Sequence, residues 1–277
     1  MRKGLKLLVV GLLVAALAVF SAGCGGTKEA ASDKKADPAA AKKKVVLASD
    51  TAYAPFESMD PQSGKFVGFD VDLVNAIGEV ANLDIELRSM NFDGIIPALE
   101  TAAVDGAISA MTITDDRKKA VNFSVPYYLS GQSVAVRTEN NTIKGFDDLK
   151  GKKLGVQIST TGADEARTVP NAKVTDYNTI NEAFLALKGG AVDAVVNDYP
   201  VSAYFIKNNK DNDVKIVGDL KTSEHYGIAF PKKNTELQET FNNALKTLKE
   251  NGKYAEIYKK WFGADPPAYL PGEPPAK

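Results

Sequence analysis

The segment ALETAAVDGAISA at residues 98–110 aligns without a gap on ALKGGAVDAVVND at residues 186–198. Each segment has the pattern of a helix end, a tight turn and a buried strand, and the two lie 88 residues apart. A supersecondary unit that occurs twice in one chain indicates two lobes of similar structure. We therefore predict that the chain folds into two lobes built on the same unit.

Short β-rich runs alternate with helical patterns on both sides of the repeat, from Val45 onward. This alternation is typical of an α/β fold with largely parallel sheets. Apolar residues recur every three or four positions from Thr235 to Phe262, which predicts one long helix closed by Gly263. The predicted strands are VVLAS at 45, IELRSM at 85, GAISA at 106, SVAVR at 133, KLGVQ at 153, DAVVN at 193, VKIV at 214 and YGIAF at 226.

Polar or small residues end the predicted strands of both lobes. In open α/β sheets, ligands bind beyond the carboxyl ends of the strands. Two lobes that face each other with polar groups at these ends predict a ligand cleft. The strand-end residues are Asp50, Ser109 and Ala110 in one lobe, and Gln157, Asn197 and Asp198 in the other.

The composition excludes most catalytic machinery. The chain has one histidine, His225, and one cysteine, Cys24, so it offers no Ser-His-Asp triad, Cys-His pair or zinc site of the usual composition. It also has neither a GxxxxGKS/T phosphate loop nor a GxGxxG motif after a strand. We expect a binding protein, not an enzyme, that uses neither a metal nor a cofactor.

Residues 1–23 have the layout of an export signal, in which three basic residues precede an apolar run from Leu7 to Phe20 and then small residues. The 14 residues of this run are fewer than the ~20 that a helix needs to cross a bilayer. The residues leading into Cys24 resemble a bacterial lipobox, whose cysteine is lipidated after cleavage. The resemblance implies a palmitate-bearing lipoprotein, anchored in the periplasm or on the outer face of the cell membrane. Secretion with a free thiol is the alternative.

The two ends of the mature chain differ from its body. Residues 24–44 are small, polar and lysine-rich, which predicts a flexible tether, and residues 266–277 form a proline-rich, irregular tail. Removal of residues 1–23 takes away three positive charges and no negative ones, so the formal charge falls from −1 to −4. That balance does not indicate a nucleic-acid partner.

Charged residues at predicted helix and strand ends suit a zwitterionic ligand. A carboxylate suits a guanidinium fork, and an ammonium suits a carboxylate. Thr114 is a predicted N-cap that puts Arg117 at the third helical position, where a cation opposes the helix dipole at a cost of roughly 0.3 to 1 kcal/mol. Either a ligand carboxylate or Asp116 offsets that cost. Asp198 is either the ammonium partner, the N-cap of the next helix, or both.

Seven stretches resemble the polar amino-acid family of bacterial solute-binding proteins, family 3, over about residues 45–263. They are SDTAYAPFE, GKFVGFDVDLVNAIGEVA, FDGIIPAL, TITDDRKKAVNFS, GKKLGVQ, YGIAFP and NGKYAEIYKKWFG. The resemblance is strongest to glutamine-binding and arginine/lysine/histidine-binding members. It implies a Venus-flytrap (type II periplasmic-binding-protein) fold, with lobe one at 45–132 plus 224–265 and lobe two at 133–223. The crossovers lie near Gln132 and Glu224.

The same resemblance implies the substrate-binding subunit of an ABC importer, a monomer that delivers a polar amino acid to a membrane permease and its ATPase. Asp50 is negative and Gln157 neutral, so the pocket suits a cationic or amide side chain and disfavours aspartate and glutamate. Ser159 stands where family members commonly have glycine. The implied ligand-binding residues are Arg117 with Thr112, Thr160 and Thr161 for the carboxylate, Asp198 and the Ala110 backbone for the ammonium, Tyr53 and Phe92 as aromatic walls, and Asp50 and Gln157 for the side chain.

Two other functions fit the same scaffold. A dehydratase-like enzyme needs a general acid in the cleft, and Glu57 and Glu100 are the candidates. A ligand sensor, whose closed form is recognised by a receptor, needs no such acid. Turnover of an aromatic precursor acid, or gene neighbours other than a permease and an ATPase, distinguish these functions from import.

Overall fold

The computed structural model describes residues 42–275. The predicted signal sequence, the lipidation site at Cys24 and most of the predicted tether lie outside the described residues. None of the helices within residues 42–275 is long and apolar enough to cross a membrane.

Thirteen strands run through the described residues, most of them short. In chain order they are β1 (Lys43–Ser49), β2 (Ala52–Tyr53), β3 (Glu57–Met59), β4 (Phe66–Val67), β5 (Leu83–Ser89), β6 (Gly106–Ala107), β7 (Val121–Phe123), β8 (Tyr128–Arg137), β9 (Lys153–Gln157), β10 (Lys173–Tyr177), β11 (Ala194–Asp198), β12 (Val214–Tyr226) and β13 (Ala229–Pro231).

Eight α-helices and one short 3-10 turn, at Phe146–Leu149, lie between these strands in the described part of the chain. The helices are α1 (Phe69–Ala81), α2 (Phe92–Glu100), α3 (Asp115–Ala120), α4 (Thr161–Thr168), α5 (Ile180–Lys188), α6 (Tyr199–Asn208), α7 (Thr235–Glu250) and α8 (Lys253–Phe262).

Two five-stranded sheets form the centres of the two lobes. The first has the strand order β5-β1-β6-β13-β7 and the second β10-β9-β11-β8-β12. Each contains three neighbouring parallel strands, β5-β1-β6 and β10-β9-β11. Helices cover the faces of such parallel sheets, which explains the apolar character of β9 and β11. The α/β prediction is therefore confirmed.

The sequence repeat has the same backbone contacts in both lobes. In the first lobe, the Asp105 N–H donates to the Val46 carbonyl at 2.9 Å and the Asp105 carboxylate accepts the Val46 N–H at 2.8 Å. In the second, Asp193 makes the same two bonds to Lys153, at 2.8 and 2.9 Å. One acidic residue in each repeat therefore ties the turn after a helix to the neighbouring central strand.

Strands β8 and β12 connect the two halves of the molecule. They pair antiparallel from Tyr128 opposite Tyr226 to Arg137 opposite Val214, with register shifts on either side of Lys221. The chain leaves the first sheet through β8, completes the second sheet and returns through β12 to β13. Such irregular pairing bends a strand locally and increases its twist.

An aromatic cluster fills the core of lobe one. The ring of Phe69, the first residue of α1, is fully buried and lies 5.1 to 6.2 Å from the rings of its neighbours. Tyr254 and Tyr258 of α8 belong to this cluster, as the periodicity of the sequence predicted. Trp261 lies at its edge and donates its indole N–H to Asp72 at 2.6 Å.

The prediction of one helix from 235 to 262 is wrong. Helix α7 ends at Glu250 and α8 begins at Lys253, because Gly252 adopts the left-handed conformation with φ of 80°. A left-handed glycine ends a helix by satisfying its last carbonyls, and a second helix then starts in a new direction. Gly263, with φ of 71°, closes α8 as predicted.

Several strands differ from their predicted bounds. The GAISA strand is limited to Gly106–Ala107, and the YGIAF run divides between the end of β12 and β13. Strand β1 begins at Lys43, inside the predicted tether, because Lys43 and Lys44 pair with β5 and Lys44 forms an ion pair with Glu86. The short strands β2 to β4 and β7 and the polar strand β10 carry too little periodicity to be predicted.

The proline-rich C-terminal segment is irregular and packs on lobe one. Leu270 is buried, and the Gly272 N–H donates to the Pro126 carbonyl at 2.9 Å. The Tyr269 hydroxyl bonds to Nε2 of His225, the residue next to the end of β12, at 2.9 Å. The segment therefore contacts the chain just before β8, at Pro126, and near the end of β12, at His225.

Candidate ligand-binding site

Two buried carboxyl groups hold the strand ends of lobe one. Ser109 accepts the Asp50 N–H at 2.9 Å and donates its hydroxyl to Glu57 Oε1 at 2.9 Å. The Ala110 N–H donates to Asp70 Oδ2 at 2.9 Å. Ala110 has φ of 45°, so its backbone turns into the left-handed region where the strand ends. The bond to Asp70 stabilises this turn.

Glu57 and Asp70 are both fully buried, and no lysine or arginine within the described residues forms an ion pair with either. Burial raises the pKa of Glu57 well above its ordinary value, and the nearby charge of Asp70 raises it further. Burial also raises the pKa of Asp70, to about 6. Burial and the neighbouring carboxylate both disfavour the ionised form of Glu57.

Arg117 extends from the first turn of α3 into the space between the lobes. Its N–H is capped by the Thr114 hydroxyl at 3.1 Å, as predicted. The guanidinium donates to the carbonyls of Thr112 at 2.8 Å and of Ser159, in lobe two, at 2.9 Å. It also lies 5.2 Å from the centre of the Phe92 ring. Burial lowers the pKa of Arg117, but the charge persists because the ordinary value is far above neutral.

The alternative partner for Arg117 is not observed. Asp116 pairs instead with Lys119, at 2.6 Å, on the exposed side of α3. The neighbouring Asp115 lies 3.5 Å from Lys118 on the same side. The guanidinium therefore faces the cleft with backbone carbonyls as neighbours, which leaves it available to a carboxylate.

The loop between β9 and α4 forms the opposite wall. Gln157 ends β9, Thr160 caps α4 by accepting the Ala163 N–H at 3.1 Å, and Thr161 begins the helix. Ser159 has φ of 63°, a left-handed conformation that glycine adopts without strain. This geometry explains why glycine is common at that position of the family.

Nine of the ten residues predicted to bind ligand line one small cavity. Ser109 lines it as well. Asp50 is the exception: it lies behind Gln157, whose amide N–H donates to the Asp50 carboxylate. The nine residues are Tyr53, Phe92, Ala110, Thr112, Arg117, Gln157, Thr160, Thr161 and Asp198.

Asp198 ends β11, is buried and lines the cavity. It occupies the N-cap position of α6, but its side chain makes no bond to the helix. Instead the carboxylate accepts the Gln132 amide N–H and the Tyr226 hydroxyl. Burial raises the pKa of Asp198 to about 7, and the charge of Glu224 contributes to that rise.

Gln132 and Glu224 belong to the same network, although the sequence indicated them only as crossover positions. Gln132 Nε2 lies 3.2 Å from Glu224 Oε2 and also contacts Asp198. Glu224 is 7% exposed, although glutamate is rarely buried without a partner. The sequence signal was a polar residue inside or beside an apolar strand, Gln132 before SVAVR and Glu224 before YGIAF.

Direct side-chain contacts connect the lobes across the cavity. The Tyr53 hydroxyl donates to Asn197 Oδ1 at 2.9 Å, and the Asn181 amide donates to the Ala52 carbonyl at 3.1 Å. Together with the Arg117 bond to Ser159, these contacts hold the cleft in a closed form. No group of three or more His, Cys, Asp and Glu in the described part of the chain is arranged to hold a metal ion.

Two α/β lobes that share one repeated unit, are joined by two strands and face a polar cleft define a two-lobed solute-binding protein. The chain belongs to the bacterial extracellular solute-binding proteins, family 3, whose model matches residues 45–264. The family resemblance and the two-lobed fold predicted from the sequence are thus confirmed.

Relatives with named ligands cover nearly the whole chain. A probable histidine-binding protein of Neisseria gonorrhoeae is 36% identical over 94% of this chain and 96% of its own. The ABC transporter glutamine-binding protein GlnH of Bacillus subtilis is 34% identical over 96% and 99%. The crystal structure of the arginine-, lysine-, histidine-binding protein ArtJ from Geobacillus stearothermophilus superposes with a TM-score of 0.77 at 41% identity, covering 81% of this chain and 97% of that one.

Proposed function

We propose that this protein captures a cationic L-amino acid, such as arginine, lysine or histidine, and delivers it to the permease and ATPase of an ABC importer. Its relatives with the names given above bind histidine, glutamine, or arginine, lysine and histidine. The choice among these ligands rests on the charges of the cleft.

The surplus of buried carboxyl groups carries the proposal. Asp50, Asp198 and Glu224 are each at most 7% exposed, and none forms an ion pair with a lysine or arginine among residues 42–275. Arg117 is the guanidinium at the cavity wall. A zwitterion with a neutral side chain leaves the charge of the site unchanged, whereas a cationic amino acid neutralises one carboxylate. Buried charges are stable only when paired, so the cationic ligand is favoured.

Each end of the ligand has a partner in this arrangement. Arg117 forms a bidentate pair with the α-carboxylate, assisted by Thr112, Thr160 and Thr161. Asp198 and the Ala110 carbonyl accept from the α-ammonium. These assignments combine the cavity geometry with the family resemblance.

The ligand side chain lies between the aromatic walls. Tyr53 and Phe92 line the cavity on the lobe-one side, and a guanidinium or ammonium is attracted to their faces. Gln157 and, behind it, Asp50 form the end of the pocket. A cationic side chain that displaces the Gln157 amide reaches the Asp50 carboxylate directly.

Closure of the two lobes traps the ligand. The contacts of Arg117 with Ser159 and of Tyr53 with Asn197 each join one lobe to the other, so they form only when the cleft closes. Strands β8 and β12 are the hinge, because they are the connection through which both sheets are joined. Ligand binding shifts the population towards the closed form.

Glutamine is the second candidate, and GlnH is a relative that carries this name. The Gln157 Nε2 donates to the Asp50 carboxylate and to the Asn178 carbonyl, so its Oε1, unpaired among residues 42–275, is the atom that can accept from a ligand amide. A glutamine ligand leaves Asp50 without a cation, so we expect it to bind more weakly than arginine.

We propose further that the protein binds its ligand without converting it. Neither acid considered for a dehydratase lies at the cavity wall: Glu57 is fully buried behind Ser109, and Glu100 is exposed at the end of α2. Anchoring of the mature chain through lipid on Cys24 completes the proposed role. Metabolic labelling with a fatty-acid probe should mark the wild type and not Cys24→Ser.

A thermal-shift screen of the twenty amino acids tests the proposed ligand. The mature chain with Cys24→Ser should be stabilised most by arginine, lysine or histidine, less by glutamine and not by aspartate or glutamate. Stabilisation by glutamine alone would show that the ligand has an amide side chain and not a cationic one. Absence of any shift would contradict amino-acid capture.

A further inference from the structure

Glu224 lies where the two lobes and the hinge meet. Its carboxylate oxygen Oε2 accepts the Thr112 hydroxyl of lobe one at 2.9 Å and the Thr161 hydroxyl of lobe two at 2.8 Å. The other oxygen, Oε1, accepts the Thr222 hydroxyl at 3.0 Å. An acidic side chain on the hinge strand β12 therefore bonds to a hydroxyl from each wall of the cleft.

The number of hydroxyl protons limits what the two threonines can offer. A threonine hydroxyl has one proton to donate and otherwise only accepts. When Thr112 and Thr161 donate to Glu224, neither can donate to a second carboxylate. A ligand carboxylate contributes no proton of its own at neutral pH. The two threonines therefore bind either Glu224 or the ligand carboxylate through their protons, and not both.

We propose that Glu224 competes with the ligand α-carboxylate for the hydroxyl protons of Thr112 and Thr161, and thereby sets how strongly the cleft prefers an amino acid to the corresponding amine. The proposal rests on the proposed function, since it takes an amino acid as the ligand. Glu224 acts as an internal carboxylate that occupies the anion-binding hydroxyls of the cleft.

The surroundings of Glu224 allow this exchange. When the two threonines turn towards a ligand, Glu224 keeps the Thr222 hydroxyl and the Gln132 amide as donors. A buried carboxylate that retains two donors avoids most of the cost of losing the others. Arg117 is positioned to hold the incoming carboxylate while the hydroxyls change partners.

The competition predicts opposite effects on two ligands that share a side chain. L-arginine has an α-carboxylate, whereas agmatine is the same molecule without it. Removal of the Glu224 charge weakens its bonds to both hydroxyls and removes a repulsion next to the arginine carboxylate. For agmatine, a dication, the same change only removes a nearby negative charge.

Calorimetry of the mature chain with both ligands tests the proposal. Glu224→Gln should tighten L-arginine binding by roughly three- to tenfold and weaken agmatine binding by roughly two- to fivefold. Glu165→Gln is the matched control: it removes one negative charge from lobe two, at a residue that pairs with Lys221, and should leave both constants within about twofold. Glu224→Met, which also lacks the charge, should reproduce both signs if the glutamine variant does not fold.

Three results would overturn the proposal. Weaker binding of both ligands would indicate that Glu224 contacts the ligand ammonium. An equal change for both would make it a hinge residue that acts only on closure. No change for either would leave it without a role in binding. If the wild type binds none of the twenty amino acids, the proposed function itself fails, which is recognisable before any variant is measured.

Discussion

Two pairs of buried carboxyl groups lie close to the cleft, and their neighbours differ in kind. Glu57 and Asp70, both 0% exposed, bond to Ser109, the Ala110 N–H and the Tyr127 hydroxyl. Asp198 and Glu224, at 5% and 7%, bond to side-chain amides and hydroxyls, whereas the first pair also bonds to the backbone N–H of Ala110. Neither pair has a lysine or arginine partner within residues 42–275.

Asp70 positions the backbone of lobe one, whereas the donors of Asp198 and Glu224 can be replaced by those of a ligand. A carboxyl group that bonds to a backbone N–H cannot exchange that donor without unfolding, so Asp70 fixes the shape of the strand end. Donors such as the Gln132 amide and the threonine hydroxyls turn about single bonds and can be replaced by those of a ligand. Burial and residue type alone therefore do not distinguish Asp70 from Asp198, whereas the backbone or side-chain origin of their donors does.

Arg117→Ala should have the largest effect on ligand binding, because it removes the guanidinium at the cavity wall. Loss of one partner of a buried charge pair costs roughly 3 to 5 kcal/mol, so ligand binding should weaken by about two to four orders of magnitude. Arg117→Lys should recover only part of this loss, since an ammonium lacks the fork.

Calorimetry with the best ligand, and thermal unfolding of the ligand-free variant, check this prediction. The unfolding temperature should change little. Binding within threefold of the wild type would show that Arg117 does not hold the ligand.

Acid should lower ligand affinity through Asp198 and raise the stability of the fold through Asp70. Asp198 has a pKa of about 7 in the ligand-free protein and must be ionised to accept an ammonium, so affinity should fall from pH 7 to pH 5 by up to roughly tenfold per unit. Asp70 has a raised pKa of about 6, so its ionisation costs stability that returns as pH falls through that value.

Variants assign each trend to its pair. Asp198→Asn should flatten the pH dependence of affinity, and Asp70→Asn should reduce that of the unfolding temperature, to which the raised pKa of Asp198 also contributes. Comparison with the wild type removes the contribution of His225, whose lowered pKa opposes the stability trend. Loss of both trends in a single variant would contradict the separation of the two pairs.

Asp70→Ala should destabilise the fold more than it alters ligand recognition. It leaves the buried Ala110 N–H and Tyr127 hydroxyl without an acceptor, at a cost of roughly 1 to 3 kcal/mol for each donor. Asp70→Asn keeps an acceptor oxygen and should recover most of the loss. Urea unfolding measures the difference, and an unchanged midpoint for Asp70→Ala would remove Asp70 from its positioning role.

Asp116→Ala should have the smallest effect. Asp116 is exposed and pairs with Lys119, so ligand affinity should stay within about twofold of the wild type. A tenfold change would instead make Asp116 the functional partner of Arg117.

The sequence repeat and the family resemblance together predicted the two lobes, and the predicted strands gave the polar strand ends, because repeats and strand ends are local patterns. The position of Arg117 at the cleft was predicted separately, from a cation in the first turn of a helix, where it opposes the helix dipole. Strand-end position did not reveal that Asp50 lies behind Gln157, since the side chains of neighbouring strands decide which group is outermost.

Gln132 and Glu224 were missed for a different reason. They are 92 residues apart and meet only because β8 and β12 pair with two register shifts. No periodicity within either strand encodes such a register. Gly252, by contrast, was visible in the sequence, and only the strong apolar periodicity on both sides concealed the helix break.

The order of the strands also dictates the order in which the lobes can be completed during synthesis. All strands of the second sheet lie between residues 128 and 226, so that lobe is a continuous segment. The first sheet lacks its fourth strand, β13, until residue 231 has been made, and Phe69 stays uncovered by α8 until residue 262. The lobe that begins first is therefore finished last, and the nascent chain must extend to residue 262 before the aromatic core of lobe one can close.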